Sequence, residues 1–576
     1  MRSLWNITPF LIALTATATC AAQRQDSLTV SASAWASAAT NGKLRPQLSY
    51  SNEWGRYAQY DQAEVATGFD AAYTHTFRNP EVRFKAGVAA QVSSDRLRTM
   101  LHELYADFDL WMFGIRMGLE DYTPVESNTS LSVGSYLMSN NARPLPRVWA
   151  GLLDYWSLPL GKLPVPFAKY IKDLIQLRGG ASFGWMNDDG CDNFTDDALL
   201  HEKFVYARVG ALPVKPYAGL YHSVIMGGSM PDGAKIPVDF WASVLGKNGS
   251  VEKFGNGVFR GETTNAAGAH QGMWDFGLDL DFEPFCGKLY YQRPFADAQA
   301  KNPTQYGIND FTAGLLLTLR HCEVVKEVAL EYANTKWEGD EGFPDPCVPN
   351  QQGGKTYLFP GDWDTDRIPY LKEHVFLPAD VERWEAANGK IDNYQSLKKF
   401  LEETYNHGLV YGGRTLYLTN YCAPQGWTRG GLSMGNAIMH TRKTVSRYAP
   451  EGTMTLSQTF PNMRVRAVNV GVSGDIVPRR LAYSLRVTAS RNYGNFREKY
   501  TGPDPSSSWT LKENYFFSRP KNETYTKLDL DITLRHGLTL RTCWAYDFGD
   551  LYHSFAARMG VRYALCLPHR EAGAGR

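Results

Sequence analysis

Beyond its first 22 positions, the chain of 576 residues has no long apolar run. A membrane-spanning helix needs about 18 consecutive apolar residues, so no such helix is expected there. An excess of either charge is also absent, because 60 Lys and Arg face 59 Asp and Glu for a net charge of +1. Nucleic-acid-binding proteins carry a basic footprint. We therefore expect no nucleic-acid partner.

Cysteines are few and scattered. Eight are present, and seven remain if the N-terminal segment that contains Cys20 is removed. An odd, widely spaced set does not make a disulfide framework, and no pair has metal-ligand spacing. Most of the seven fall in strand-like stretches, so we interpret them as small buried apolar side chains, with no metal or cofactor site.

Catalytic signatures are missing as well. The sequence has no Gly-x-Ser-x-Gly elbow, no His-Glu-x-x-His helix and no Walker loop. A serine, a histidine and a carboxylate brought together from separate strands would leave no such signature, and this stays an open alternative. We expect a protein that is not an enzyme.

The N-terminus has the features of a secretory signal peptide. Met1-Arg2 is positively charged, an apolar stretch begins at Phe10, and Cys20-Ala21-Ala22 offers small residues for cleavage. The expected signal peptide is 1–22 and the mature chain is 23–576. A lipoprotein signal acylated on Cys20 is the alternative, and Thr19 argues against it because a small Gly or Ala usually precedes the modified cysteine.

Strict alternation of apolar and polar residues recurs along the whole chain. Clear examples are 82–92, 274–282, 528–534 and 555–565. Segments of about ten residues exceed the five or six of a typical sandwich strand and match a tilted strand that crosses a membrane. Charges on the polar face, such as Asp279 and Arg558, suit a water-filled interior. The pattern predicts an all-β fold, a transmembrane antiparallel β-barrel whose partner is outer-membrane lipid.

The number of strands follows from chain length. The mature chain has 576 − 22 = 554 residues, and at roughly 30 residues for each strand and connection this gives about 16–20 strands. We see no break in composition, so a single barrel domain is expected over 23–576. Two long polar connections, about 229–269 and 337–408, are candidates for extracellular loops. A helix is predicted within the second, from Pro378 to Tyr405, with a periplasmic plug as its alternative role.

Several short segments resemble the capsule-assembly Wzi family of outer-membrane proteins, in the form found in Bacteroidetes. In chain order, the segments that carry the resemblance are Ser139–Pro144, Phe183–Trp185 with Asp188-Asp189, Leu200–Arg208, Gly219–His222 with Gly227-Gly228, Gly426–Gly435, Arg464–Arg466, Gly471–Asp475 and Ser490–Gly494. Together they span roughly residues 50 to 500. The region Asn406–Thr419 departs from the family, and the chain ends beyond Pro568 without the aromatic residue that usually terminates such barrels.

The resemblance implies an 18-stranded barrel with helical elements. It also implies a lectin-like role without catalysis or cofactor, in which the barrel binds capsular polysaccharide and assists capsule assembly and surface attachment. We expect a monomer in the outer membrane of a Gram-negative cell. The alternatives are a porin or glycan-uptake channel, because a charged lumen of about 18 strands conducts if it is open, and a soluble secreted β-rich protein.

Two short sets of residues are candidates for sugar contact. Sugars are bound by aromatic faces together with Arg, Asn or Asp side chains. Trp427 and Arg429, flanked by glycines, form one set, and Asn140, Asn141 and Arg143 form the other. The alternatives are structural: a turn for the Asn-Asn-Ala-Arg-Pro segment, and an interfacial aromatic belt for the tryptophan.

Two further groups invite a functional interpretation. The acidic loop 188–197 has carboxylates suited to Ca²⁺, although its spacing is not that of an EF-hand and a solvated cluster is the alternative. His201 beside Glu202, and His222, suggest catalysis. Within strands, however, we expect histidines whose ring nitrogens are satisfied by neighbours in the lumen.

Overall fold

The computed structural model describes residues 27–568 with gaps. The residues it leaves undescribed are 1–26, 78, 80, 163, 165–170, 187–196, 211, 231, 256–258, 264–265, 297–308, 339–346, 358–367, 406–416, 420–422, 424–425, 496–497, 499, 502–509, 512–513 and 569–576. The predicted signal peptide and the tail after Pro568 therefore lie outside the described residues, as does most of 406–419.

Eighteen antiparallel strands form one closed barrel. They are β1 Ser27–Ala39, β2 Ala63–Thr76, β3 Val82–Ser93, β4 Met100–Leu110, β5 Phe113–Leu119, β6 Arg147–Leu152, β7 Ile175–Met186, β8 Ala198–Val209, β9 Val214–Met226, β10 Ala269–Asp281, β11 Phe285–Ala296, β12 Phe311–Leu319, β13 Glu327–Asn334, β14 Val465–Val477, β15 Leu481–Asn492, β16 Lys521–Arg535, β17 Leu538–Gly549 and β18 Ser554–Pro568. Each pairs with the next, and the short strand Trp156–Ser157 continues β6 along β7. β1 closes the ring by pairing with β18, with Trp35 opposite Gly560. The predicted fold class is confirmed.

The alternating segments coincide with strands. The four examples from the sequence lie on β3, β10, β16 and β18. On β18 the apolar positions face outward, where Met559 is 56% exposed and Val561 46%, and Arg558 contacts the interior through the carbonyl of Ser49. Alternate residues of a strand point to opposite sides of a sheet, so one sequence period sets both faces of the wall.

The two ends of the barrel differ in their connections. At one end, seven of the connections are between two and seven residues long; examples are 77–81 between β2 and β3 and 536–537 between β16 and β17. The exception is 153–174, between β6 and β7. At the other end lie the long connections 40–62, 120–146, 227–268, 335–464 and 493–520. Both ends of the described chain lie at the short-turn end, which in barrels of this kind faces the periplasm.

Helices and small ribbons occur only within the connections. The α-helices are α1 Phe240–Leu245, α2 Val251–Phe254, α3 Ile368–Tyr370, α4 Pro378–Asn388, α5 Tyr394–Tyr405 and α6 Arg442–Tyr448, with a π-helical turn, Leu371–Val375, after α3; 3-10 turns are Gln47–Ser49, Arg96–Arg98, Leu160–Lys162, Arg260–Thr263 and Phe516–Ser518. Two-stranded ribbons pair Cys347–Pro349 with Lys355–Tyr357, Thr428–Arg429 with Leu432–Ser433, and Tyr500–Thr501 with Thr510–Leu511. Within the described ranges, no helix is both long enough and apolar enough to cross a bilayer.

The predicted helix from Pro378 to Tyr405 is wrong in one respect, because it is two helices. Gly389 follows α4 with φ of 90°, a backbone conformation that glycine adopts without a steric penalty. The chain then turns and α5 packs back on α4, so that Trp384 and Phe400 meet with their ring centroids 5.8 Å apart. These helices, α3 and Val348 share an apolar core of their own.

Candidate functional site: the plugged lumen

Three connections from the long-loop end fold into the barrel and form a plug, defined as the described residues of 43–61, 120–146 and 417–464. Their apolar side chains pack with inward-facing strand residues. In that core, Tyr136, Leu137 and Trp427 are no more than 1% exposed, and they share one cluster with Tyr221 of β9 and Met273 of β10. Protein interiors packed in this way leave few voids larger than a water molecule. At the height of the plug, the lumen is therefore filled by a hydrophobic core that the plug and the inward strand residues share.

Hydrogen bonds join the three plug segments to one another. The backbone N–H of Ser139 donates to the Met434 carbonyl at 2.8 Å, and the Asn141 side-chain amide donates to the Ser433 carbonyl at 2.8 Å. The Asn52 side chain donates to the Ser132 carbonyl at 2.6 Å. Because side-chain amides satisfy buried backbone carbonyls here, segments without regular secondary structure remain paired inside the barrel.

One side of the plug is attached to β11, β13 and β14. Glu331 of β13 accepts a hydrogen bond from the Val133 backbone N–H at 2.8 Å. Asn469 of β14 donates to the Leu131 carbonyl at 2.8 Å, and Gln292 of β11 donates to Ser127 Oγ at 2.8 Å. These strands line one wall.

Farther round the ring, strands β16 to β18 hold the plug through charged groups. Asp547 of β17 accepts from the Gln47 backbone N–H at 2.5 Å, and Arg558 of β18 donates to the Ser49 carbonyl at 2.8 Å. Lys527 of β16 forms an ion pair with Glu53. Charge-assisted hydrogen bonds are roughly twice as strong as neutral ones. The plug is therefore attached along the wall from β11 to β18, and it reaches the opposite wall where Asp121 Oδ1 lies 2.8 Å from His102 Nε2 of β4.

A buried histidine lies within the plug. His440 Nε2 is 2.9 Å from Gln47 Oε1, and its Nδ1 is 3.1 Å from the Tyr448 hydroxyl. Burial lowers the pKa of His440 to about 3, because an enclosed imidazolium would lose its hydration. The ring is neutral at physiological pH and serves as a hydrogen-bonding link between plug segments.

The structure brings the two predicted sugar-contact sets together, but inside the plug. Trp427 is 1% exposed and its Nε1 donates to the Leu137 carbonyl, while Asn141 is 2% and Arg429 7% exposed. Neither face of the Trp427 ring is open to solvent, and its assignment to an interfacial belt is wrong because it lies in the lumen. The sequence missed this role because a tryptophan between glycines looks the same in a loop and in a packed plug.

Asn140 and Arg143 are only half-buried. The Asn140 carbonyl accepts from the Trp54 backbone N–H at 2.7 Å, which ties this turn to the 43–61 segment. A Cβ added at Gly430 would lie 3.4 Å from Arg143 Nε, so the two predicted sets are neighbours here as well. Sugar contact by either set stays a prediction, and of the five residues these two are the most accessible candidates.

The catalytic interpretation of the strand histidines gains no support from the geometry. His201 and Glu202 are consecutive on β8 and so point to opposite faces of the wall. Glu202 faces inward and accepts from Ser182 Oγ at 2.8 Å. His201 and His222 lie on the outward face beneath the 227–268 connection, where the Phe240 ring of α1 stacks on Phe183 and Phe183 on His201. Our expectation that lumen neighbours satisfy these histidines is therefore wrong, because the strand register turns them outward.

The predicted calcium loop falls largely outside the described residues, which include only Asp197 of its carboxylates. Elsewhere in the described ranges, no cluster of three or more His, Cys, Asp or Glu could hold a metal ion. Among the cysteines whose side chains are described, Cys543 is buried, Cys286 and Cys566 are half-buried, and Cys322 is exposed. The expectation of buried cysteines is thus correct for only one of these four.

Below the plug, toward the short-turn end, lies a cavity of about 450 Å³ that we call the lumen chamber. Its walls come from inward positions of β1, β2 and β15–β18, and its roof from the 43–61 segment; charged and aromatic lining residues are Trp35, Glu53, Arg56, Tyr57, Asp70, Arg486, Lys527, Asp529, Asp531, Arg541, Arg558 and Arg562. Along β16 the side-chain exposure rises from 10% at Lys527 to 29% at Asp529 and 39% at Asp531. The chamber therefore becomes more accessible toward the short-turn end.

Comparison with known proteins identifies no family for this chain. No family model matches the chain, and no curated protein matches it. Among solved structures, it is similar to Wzi of Escherichia coli, described as an outer-membrane protein involved in group 1 capsule assembly and a carbohydrate-binding β-barrel, at 10% identity and a TM-score of 0.45, covering 94% of this chain and 84% of that one. It is also similar to OccD1 (OprD), at 10% identity, TM-score 0.41 and coverages of 94% and 96%. OccK3 (OpdO) of Pseudomonas aeruginosa matches at 11% identity, TM-score 0.39 and coverages of 94% and 96%. At these similarities neither kind of name carries a function over to this chain.

Proposed function

We propose that this protein is a non-enzymatic, monomeric outer-membrane β-barrel that binds capsular polysaccharide and helps to attach the capsule to the cell surface. The observation that carries the proposal is the packed plug, which fills the lumen with apolar side chains and is attached to opposite walls. A filled barrel is suited to holding a polymer at its long-loop end and unsuited to passing solutes.

The outer surface supports a membrane location. Large apolar side chains are exposed at outward positions around the ring; examples are Val65 at 61%, Leu104 at 54%, Val205 at 54%, Leu330 at 45% and Val468 at 52%. A continuous exposed apolar band of this kind is unusual for a soluble monomer and suits contact with lipid. In water it would favour aggregation, because each Å² of apolar surface costs about 25 cal/mol to hydrate.

Support for the capsule comes from the resemblance of ordered sequence segments to the Wzi family. Two of those segments, Ser139–Pro144 and Gly426–Gly435, contact each other in the plug through the Ser139 and Asn141 hydrogen bonds. The resemblance therefore follows a structural unit of this chain. Asn140 and Arg143, at its accessible edge, are the residues that we propose for sugar contact.

The test is capsule retention in cells. Deletion of the gene is expected to release capsular polysaccharide into the medium, and the wild-type gene on a plasmid is expected to restore it. An Asn140→Ala, Arg143→Ala double variant that still runs as a folded, heat-modifiable barrel is expected to restore retention only partly. An Arg320→Ala variant, altered in a short turn at the other end, serves as the matched control. Unchanged capsule in the deletion strain would refute the proposal.

A channel is the second candidate function, and the lumen chamber favours it because its charged walls resemble a solute vestibule. Single-barrel conductance in a planar bilayer separates the two. A silent barrel agrees with the capsule-binding proposal, whereas a large and steady current would replace it with a porin or glycan-uptake channel.

A further inference from the structure

The lumen chamber has one wall with two charged residues separated by a glycine. On β18, Arg558, Gly560 and Arg562 occupy successive inward positions, so the two guanidinium groups flank a stretch without a side chain. Their Cα atoms are about 14 Å apart, given a rise of about 3.4 Å per residue. The space between them is of the length of a sugar unit or two.

These two arginines differ in their partners from Lys527 and Arg541, two other cations of the chamber. Arg541 is paired with Asp531 at 3.1 Å and Lys527 with Asp529 at 3.1 Å. Neither Arg558 nor Arg562 has a carboxylate oxygen within 4.0 Å among the described residues. Arg558 donates to the Ser49 carbonyl, and Arg562 is 3.3 Å from Ser31 Oγ. Two positive charges that face the chamber without a directly paired carboxylate favour an anionic ligand.

An aromatic platform lies between the two arginines. Trp35 of β1 is opposite Gly560 in the register, and a Cβ added at Gly560 would come within 2.7 Å of the Trp35 Cβ. Glycine therefore lets the indole lie against the wall of the chamber. Tyr57 of the plug packs edge-on to Trp35, with ring centroids 5.5 Å apart, and the Arg558 guanidinium lies 3.3 Å from the Tyr57 ring centroid. The pocket thus combines flat apolar rings with fixed positive charge.

The residues beside Trp35 on this wall have small side chains or none. Ser33 of β1 and Gly68 of β2 line the chamber beside Trp35, and a Cβ added at Gly68 would lie 3.5 Å from the indole ring. Small residues keep the volume next to the ring open. A cavity of about 450 Å³ lies within the range of small-ligand sites.

We propose that the lumen chamber is a binding site for an acidic saccharide that enters from the short-turn end. The sugar ring stacks on Trp35, and its carboxylate, or an equivalent phosphate or sulfate, binds Arg562 and Arg558. The site goes beyond the proposed capsule attachment, because the plug separates it from the long-loop end. It needs only the folded barrel, and so it can fail or succeed independently of capsule retention.

Calorimetric titration of the purified full-length barrel in detergent tests the proposal. The probe is a tetrasaccharide of alternating glucuronate and N-acetylglucosamine, with neutral chitotetraose as its uncharged counterpart. The acidic sugar is expected to bind, and its affinity is expected to fall between 50 and 300 mM salt. Chitotetraose is expected to bind at least tenfold more weakly. Equal affinities for the two sugars would overturn the proposal without any variant.

Variants then locate the site. Arg562→Gln is expected to weaken the acidic sugar about tenfold, the size typical of a lost charge-assisted hydrogen bond. Trp35→Leu is expected to weaken it about fivefold by removing the ring contact. Lys215→Gln is the matched control, because Lys215 is an inward cation of the short-turn half on β9 that is paired with Asp281. Affinity unchanged by Arg562→Gln and Trp35→Leu in heat-modifiable barrels would overturn the proposal.

Inorganic phosphate separates a saccharide site from a simple anion site. Phosphate at 10 mM is expected to compete only weakly with the tetrasaccharide, because it makes no ring contact. Full displacement at that concentration, together with no effect of Trp35→Leu, would reduce the chamber to a general anion site and contradict the proposal.

Discussion

At the residue scale, identity alone did not predict which side chains are accessible. Trp427 and Asn141 are of residue types that commonly bind sugars. Both are nevertheless almost fully buried, because three connections that are distant in sequence converge on them. By contrast, Arg558 and Arg562 were recognisable in the sequence as inward charges of an alternating strand. Their function as a pair depends on Gly560 and on Trp35 of the first strand, which are neighbours only once the ring closes.

Truncation of the plug tryptophan tests its structural role. Trp427→Ala removes a buried indole and its hydrogen bond to Leu137, and is expected to cost about 3–5 kcal/mol of stability. The measurement is the loss of heat-modifiable mobility with temperature. The exposed Trp241→Ala is the control and is expected to have little effect, since its side chain is 68% exposed. Equal, small shifts for both would show that the plug does not stabilise the barrel through Trp427.

The buried histidine predicts a pH dependence. The folded pKa of His440 is about 3, below the value of about 6.5 expected in an unfolded chain. The unfolded state therefore binds a proton first as pH falls. The stability that neutral His440 provides is complete above pH 6.5 and declines by about 1.4 kcal/mol for each unit below it, until about pH 3.

The check compares thermal transitions at pH 7.5 and pH 4.5. His440→Gln is expected to destabilise the barrel at neutral pH but to reduce the loss between the two pH values. His321→Gln, in an exposed short turn where the side chain is 65% exposed, is the control. If native protein and His440→Gln lose stability in parallel, another group governs the acid transition.

At the element scale, periodicity predicted the strands well and the connections poorly. Alternation on β3, β10, β16 and β18 matched the structure because each strand has a lipid-facing and a lumen-facing side, which the sequence must encode locally. The plug segments have no period, since their packing partners are residues hundreds of positions away, such as Gln47 and Asp547. The periodic pattern over 378–405 predicts one helix, because the apolar spacing continues on both sides of Gly389 and the turn there depends on a single residue.

Helices α4 and α5 are expected to be able to unfold while the barrel stays folded. Their core is formed by residues of the same connection, with Phe400 0% and Trp384 7% exposed. Phe400→Ala is expected to destabilise the helices by about 3–5 kcal/mol and to expose 378–405 to protease, while the barrel keeps its heat-modifiable mobility. Lys399→Ala, on the exposed side of α5, is the control. Loss of the barrel in Phe400→Ala would show that the two cores are coupled.

At the scale of the whole molecule, we expect the plug to decide whether the barrel conducts. It is made from three connections, and 120–146 contacts opposite walls through Val133 with Glu331 of β13 and through Asp121 with His102 of β4. Replacing 123–144 by a short Gly-Ser linker is expected to open the lumen and to raise bilayer conductance from near zero to a steady current. Deleting 378–405 is the control and should leave the barrel silent. A native barrel that conducts as strongly as the linker variant would contradict a plugged lumen.

The pairing of β1 with β18 has a consequence for how the molecule comes into being. The first strand has no partner on one side until β18, the last strand of the barrel, has arrived. Up to that moment the curved sheet has two open edges, which are prone to pairing with other chains. The 43–61 segment follows β1 closely in the sequence, yet its contacts are with residues of β16 to β18, near the end of the chain. A chain truncated before β18 would therefore lack a closed barrel. It would also lack part of the wall to which its first plug segment is bonded.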